Sequence, residues 1–299
     1  MAKHFSFDNA AFHFTRTDGP PGFTWKYLLV YVGLSLALMA LQIGLQSVLF
    51  GSSEEMELML ASGNIPPDMI GGIILFYLAA FITGIIFWAV MEAAIMRRYV
   101  HDSGFGLRLG GDEFRLMVVG LAWFATSLGI YFVVALAGAG LILPVVSLAG
   151  NSPAIVGVWA TLVILGLGFL WIYAAVRLCA ASALTIRDKK IHFIDSWGAT
   201  KGRFGGLLGA YLILALIFGI IAIVGIATFG AAMGWDFSDL DALAFSMQPK
   251  SIFGLTAVFT VLFVIFQGLG TFVWAGPAAL AAKTDPRHGG RSDAADVFS

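Results

Sequence analysis

Six segments of this chain run for about 20 residues or more without a Lys, Arg, Asp or Glu, enough to cross the roughly 30 Å hydrocarbon layer of a bilayer. They are Tyr27–Phe50, Met69–Met91, Leu116–Leu141, Pro153–Val176, Phe204–Gly230 and Ile252–Ala282. Backbone N–H and C=O groups inside hydrocarbon must find partners within the protein, and a helix supplies them within its own segment. The expected fold class is therefore all-α, a polytopic membrane bundle of six transmembrane helices. The stretch from Met117 to Val176 carries no formal charge. One helix of that length would far exceed any bilayer, so two spans must share it. Pro144 and the cluster Gly150-Asn151-Ser152-Pro153 mark the turn between them.

The charges alternate with the spans. Sixteen of the seventeen Lys and Arg residues lie in the N-terminal arm, the second and fourth connections and the C-terminal tail. The first, third and fifth connections hold Lys250 as their single base, against Glu54, Glu55, Glu57, Asp68, Asp236, Asp239 and Asp241. Short loops rich in Lys and Arg stay in the cytoplasm, which predicts cytoplasmic N and C termini. A mean hydropathy of +0.90 and only 12% charged residues agree with a membrane setting, since soluble domains have about 25% charged residues. The connections are too short for a further domain of about 50 residues or more. The expected organisation is an interfacial arm over residues 1–26, a six-helix domain over 27–282 and a disordered tail over 283–299. Span 1 follows a long arm without a small-x-small site after it, so no cleaved signal is expected.

In the arm, Phe5, Phe7, Phe12 and Phe14 alternate with Lys3, His4, His13 and Arg16. That mixture suits a segment lying in the headgroup layer. Asp18-Gly19-Pro20-Pro21-Gly22 then breaks the chain before Trp25 and Tyr27, an aromatic pair of the kind found at membrane interfaces.

The inner ends of alternate spans resemble one another. Span 2 closes on Trp88-Ala-Val-Met-Glu92, span 4 on Trp171-Ile-Tyr-Ala-Ala and span 6 on Trp274-Ala-Gly-Pro277. These repeats run in the same direction through the bilayer, which suggests three repeated helical hairpins rather than inverted halves. Pro277 should kink or end span 6.

Few polar side chains fall inside the spans. Glu92 is one turn beyond Trp88, and an ionisable residue within a span is a functional candidate by default. With Arg97, Arg98 or Arg177 as partner it could act as a proton or cation relay, or as a latch between spans 2 and 4. The alternative is a carboxylate paired structurally at a helix end. Gln42 and Gln46 share one face of span 1, and Gln267 sits beside Gly268 and Gly270. Together with Glu92 and Arg177 they form a candidate intramembrane polar site, or they supply ordinary inter-helix adhesion. The spacings Gly202-x-x-x-Gly206 and Gly205-x-x-x-Gly209, with Gly138, Gly140, Gly166 and Gly168, predict close helix packing inside the bundle or across a homodimer seam.

Arg97, Arg98, Arg115, Arg187, Lys189, Lys190, Lys201 and Arg203 are candidate contacts for anionic lipid headgroups, or simply topology determinants. The five histidines have no metal-ligand spacing with Cys179 or one another, and no Walker loop, H-E-x-x-H or G-x-S-x-G signature occurs. No cofactor, metal or nucleic-acid partner is expected, and no catalytic residues are assigned. Membrane lipids, and either a membrane-protein partner or a second copy, are the expected associates.

The fourth connection reads Ser196-Trp197-Gly-Ala-Thr200-Lys201-Gly202-Arg203-Phe204. It resembles the S-W-x-x-T-[RK]-G element of a bacterial group that contains YciC-like proteins and the membrane domain of glycerophosphodiester phosphodiesterases. The segment Gly106–Arg115 is similar to a matching stretch in relatives of that group. The resemblance implies a multi-pass protein of the bacterial inner membrane; the expected function is non-enzymatic support of envelope homeostasis or of the organisation of lipids and membrane proteins. It does not extend to the phosphodiesterase domain, so catalysis is not carried over. The alternative function is a small-solute or lipid transporter with a cavity lined by the intramembrane polar residues.

Overall fold

The computed structural model describes residues 5–51, 67–149, 152–233, 253–285 and 287. Among them every regular element is helical, and six helices are long and apolar enough to span a bilayer. In chain order these elements are α1 (Phe7–Ala11), a short 3₁₀ turn (His13–Thr15), α2 (Phe23–Phe50), α3 (Pro67–His101), α4 (Gly111–Ala149), α5 (Pro153–Leu178), α6 (Ala181–Asp188), α7 (Asp195–Ala199), α8 (Phe204–Met233) and α9 (Phe253–Lys283). The spans are α2, α3, α4, α5, α8 and α9.

Aromatic contacts trace how the spans close into a ring. Phe50 meets Phe76 between α2 and α3, and Phe81 meets Phe124 at 5.0 Å between α3 and α4. Val163 of α5 packs where a Cβ on Gly138 of α4 would lie, at 3.3 Å. Tyr173 meets Phe204 between α5 and α8, Phe218 meets Phe266 between α8 and α9, and Tyr27 meets Phe272 between α2 and α9. The consecutive pairs α2–α3, α4–α5 and α8–α9 thus lie side by side as hairpins.

Burial is concentrated at one end of this ring. The buried residues come from the start of α2, the end of α3, the starts of α4 and α8 and the last turns of α9. The short helix α6 fills the middle of that end, with every residue from Ala181 to Ile186 buried. The opposite halves turn large apolar side chains outward, as with Val48, Ile74, Phe132, Leu162 and Ile223. In the most apolar window of the α5–α6 segment none of the residues is buried, and in that of α9 only 22% are. Such surfaces are at rest in lipid and not in water.

Several expectations are changed by the structure. α4 continues through Pro144 to Ala149, so the α4–α5 turn is narrower than the sequence suggested, and Gly150 and Asn151 lie outside the described residues. α9 runs through Pro277 to Lys283 and does not end there. The arm also packs on the bundle, with Ala10, Ala11 and His13 buried. Gly206 and Gly209 on α8 receive the arm, Gly209 through Phe7 of the short helix α1. A Cβ there would meet Phe5 at 3.1 Å and Phe7 at 3.0 Å. The acids of the first and fifth connections, and the tail beyond Arg287, lie outside the described residues, apart from Asp68 on α3.

Candidate functional site

The basic end of the bundle is held together by its own cations. Arg97 donates to the buried Glu113 at 2.6 Å and to the Gly106 carbonyl at 3.3 Å, while Glu113 accepts from the Gly110 amide at 2.9 Å. This fastens the end of α3 to the start of α4. Arg98 donates to the Pro20 carbonyl and lies 5.3 Å over the Phe23 ring. Arg115 pairs with Asp112 at 2.9 Å, one turn away on the same helix. Arg203 donates to the Ala281 carbonyl at 3.1 Å and to the Thr284 hydroxyl at 2.8 Å, and stacks over Phe5. Arg187 grips Asp188 and donates to the Ala282 carbonyl. The last carbonyls of a helix lack intrahelical partners, and cationic donors there also suit the helix dipole. Of the eight expected headgroup contacts, these five arginines touch protein, whereas Lys189, Lys190 and Lys201 are exposed.

The Ser-Trp-x-x-Thr-Lys-Gly segment does a similar task for α5. Ser196 of α7 and Thr200, which caps that helix, both donate to the Arg177 carbonyl, at 3.1 and 3.0 Å. Trp197 lies on the Arg177 guanidinium, whose carbon is 5.0 Å from the ring centroid. Gly202 takes the left-handed backbone at φ 75° that turns the chain into α8, a conformation that glycine adopts without steric cost.

The five residues of the expected polar site do not gather. Gln42 and Gln46 are half-buried on α2, and Gln267 is exposed on α9. Arg177 stacks on Tyr173 and Trp197. Glu92 is buried in the core, where its carboxylate hydrogen-bonds with Ser182 of α6. It forms no ion pair with Arg97, Arg98 or Arg177.

What does converge is aromatic. A cleft of about 880 Å³ lies between α3, α4, α5, α8 and α9. Four tryptophans line it: Trp88, Trp123, Trp171 and Trp274, one from each of α3, α4, α5 and α9. Trp171 and Trp274 remain 43% and 37% exposed, so the cleft is open to its surroundings. Tyr211 of α8 stacks on Trp274 at 5.6 Å and hydrogen-bonds with Cys179, which also lines the cleft. No Lys, Arg, His, Asp or Glu is among the lining residues. Trp88 fits because α4 presents Gly120 to it, where a Cβ would lie only 2.8 Å from the ring.

The depth of these indoles is informative. Counting from Arg97, Arg115, Arg177 and Lys283 at 1.5 Å per residue, they lie about 9–14 Å along the helices from the basic end. Tryptophans usually collect at the interface itself. Here four share one layer, set back from the basic end. The sequence showed Trp88, Trp171 and Trp274 as marks of a repeat, but not as one site. Their common distance from the basic boundary was the available signal.

Among the described residues no group of His, Cys, Asp and Glu could hold a metal ion. Fold and site together define a multi-pass α-helical membrane protein with an intramembrane aromatic cleft. Comparison with family models, curated proteins and solved structures yields no match to this chain.

Proposed function

We propose that this is a non-enzymatic protein of the bacterial inner membrane that captures an apolar, bilayer-dissolved molecule in the cleft between α3, α4, α5, α8 and α9. Membrane lipid is the ligand in greatest supply there, and lipid organisation in the envelope is the corresponding role. The observation that carries this reading is the layer of four indoles around an open, uncharged cavity. Ligand sites are mostly apolar concavities of about 300–1,000 Å³, and the cleft is of that size. The basic end then faces the cytoplasm. The resemblance of Ser196–Phe204 to the YciC-like group supports the same membrane. Exposed Lys189, Lys190 and Lys201 remain free to meet anionic headgroups. Transport of a small polar solute is less favoured, because none of Gln42, Gln46, Gln267, Arg177 and Glu92 lines the cleft.

Mass spectrometry of molecules retained through purification tests the proposal. Ala175 and Ala215 line the cleft, so Ala175→Trp with Ala215→Phe should fill it. The wild-type protein should retain a lipid or other apolar molecule that the doubly substituted, still helical protein has lost. Equal retention by both would refute capture in the cleft.

A further inference from the structure

Glu92 differs from the other buried acids of the described structure. Glu113 is held by Arg97 at 2.6 Å, and Asp285 by Arg287 at 3.0 Å. Glu92 has Ser182 as its hydrogen-bond partner and no cation within ion-pair distance. It is only 9% exposed, inside a membrane-spanning helix. A carboxyl in such surroundings is stable with a proton on it or with a positive charge beside it.

Its position relates it to the cleft. Glu92 is one turn beyond the cleft-lining Trp88 on α3, bonds Ser182 of α6, and is not itself among the lining residues. The carboxyl therefore lies behind the wall, not on it. With little water between, a charge acts over more than contact distance. The Arg177 guanidinium is stacked on Tyr173 and Trp197, neither of which lines the cleft. The cavity thus has an ionisable carboxyl behind it, no positive group on its walls and four indole faces around it. Tryptophan faces attract cations more strongly than any other side-chain ring, and desolvation strengthens that attraction.

We propose that the cleft takes a lipophilic organic cation, a quaternary ammonium or phosphonium type of molecule, held by the indoles and balanced by Glu92. This assignment rests on the cleft being a ligand site and adds the charge of the ligand. A neutral or anionic acyl chain would gain from the apolar walls alone. A cation gains from walls, ring faces and carboxylate together.

Two probes of the same shape and opposite charge separate these cases. The protein in phosphatidylcholine nanodiscs is titrated with tetraphenylphosphonium or with tetraphenylborate. Binding is read from quenching of tryptophan fluorescence after subtraction of the empty-disc partition. The Ala175→Trp, Ala215→Phe protein, whose cleft is filled, reports whether the bound probe occupies the cleft. The expected result is at least tenfold tighter binding of the cation, loss of that binding when the cleft is filled, and loss of most of the preference in Glu92→Gln. Trp123→Leu, which leaves Glu92 in place, should weaken the cation more than the anion.

Equal binding of both probes, lost when the cleft is filled, would overturn the cation assignment and leave the cleft reading intact. Absence of binding by either probe, or binding that persists in the filled cleft, would overturn both. Preference for the cation that survives Glu92→Gln would refute the role of the carboxylate. If Glu92→Gln does not fold, the comparison of the two probes on the wild-type protein still decides the charge.

Discussion

Removing the two hydroxyls that cap α5 should cost more than their separate losses predict. Ser196 and Thr200 are fully buried, and both donate to the carbonyl of Arg177. That carbonyl lies in the last turn of α5, where the intrahelical partner is missing. In Ser196→Ala or Thr200→Val alone, one donor stays in place. The loss is then one neutral hydrogen bond, about 1 kcal/mol. Thr200 also lies 3.0 Å from the Ser196 carbonyl, so its single proton is shared and its own loss is at the lower end of that scale. In the double variant the carbonyl is left buried without a donor. An unsatisfied buried acceptor costs about 1–3 kcal/mol, which brings the total to about 3–5 kcal/mol. The coupling between the two sites is thus about 1–3 kcal/mol, well beyond the roughly 0.5 kcal/mol scatter of independent sites. Titration of the micellar protein with sodium dodecyl sulfate, followed by helical circular dichroism, measures all four corners of the cycle. An additive double variant would refute the shared-acceptor reasoning. So would a double variant as stable as the wild type.

Other perturbations follow from single contacts. Arg203→Ala removes the donors to Ala281 and Thr284, and should lower stability in the same titration by about 2–4 kcal/mol for charge-assisted bonds. Arg203→Lys should recover less than half of that, because an ammonium lacks the planar fork; full recovery would argue against the capping role. Gly209→Val places side-chain carbon against the Phe7 ring, already 3.0 Å from where a Cβ would sit. The arm should then detach, and trypsin should cut after Arg16 faster than in the wild type; an unchanged rate would refute the docked arm. His13 is 3% exposed beside Tyr99, and burial first, then the Lys283 charge, lower its pKa from 6.5 to about 4. The unfolded chain therefore binds this proton more readily than the folded one. Stability from this site is complete above about pH 6.5 and is lost as pH falls through about 4, a change of about 3 kcal/mol. His13→Gln should flatten that part of the stability profile; an unaltered profile would exclude His13 as its source.

The residues differ in how much of their role could be read before folding. The spans were legible because membrane insertion depends on a sum along the segment, and uncharged runs such as Phe204–Gly230 satisfy it whatever face each residue occupies. The same property concealed the site. α8 is apolar all round, so no polar stripe tells which side meets the cleft, and Tyr211 looked like any other span aromatic. Arg187 and Arg203 read as lipid contacts because their sequence neighbours are basic. Their acceptors, Ala282 and Ala281, are roughly 80–95 residues away. The rings of the arm alternate with bases, and only the surfaces of α8 and α9 decide that Ala10, Ala11 and His13 are covered.

By itself, then, the sequence determined the solvent this protein lives in, the number of its crossings and the sorting of its charges to one end. Those are one-dimensional quantities, set by hydropathy and charge in order along the chain. The tertiary structure decided that four indoles from four helices share one cavity, that Glu92 lies behind it without an ion-pair partner, and that the basic end is bound to its own helix termini. These depend on the rotation of each helix about its axis and on the insertion of α6, which arise only when all six spans pack together.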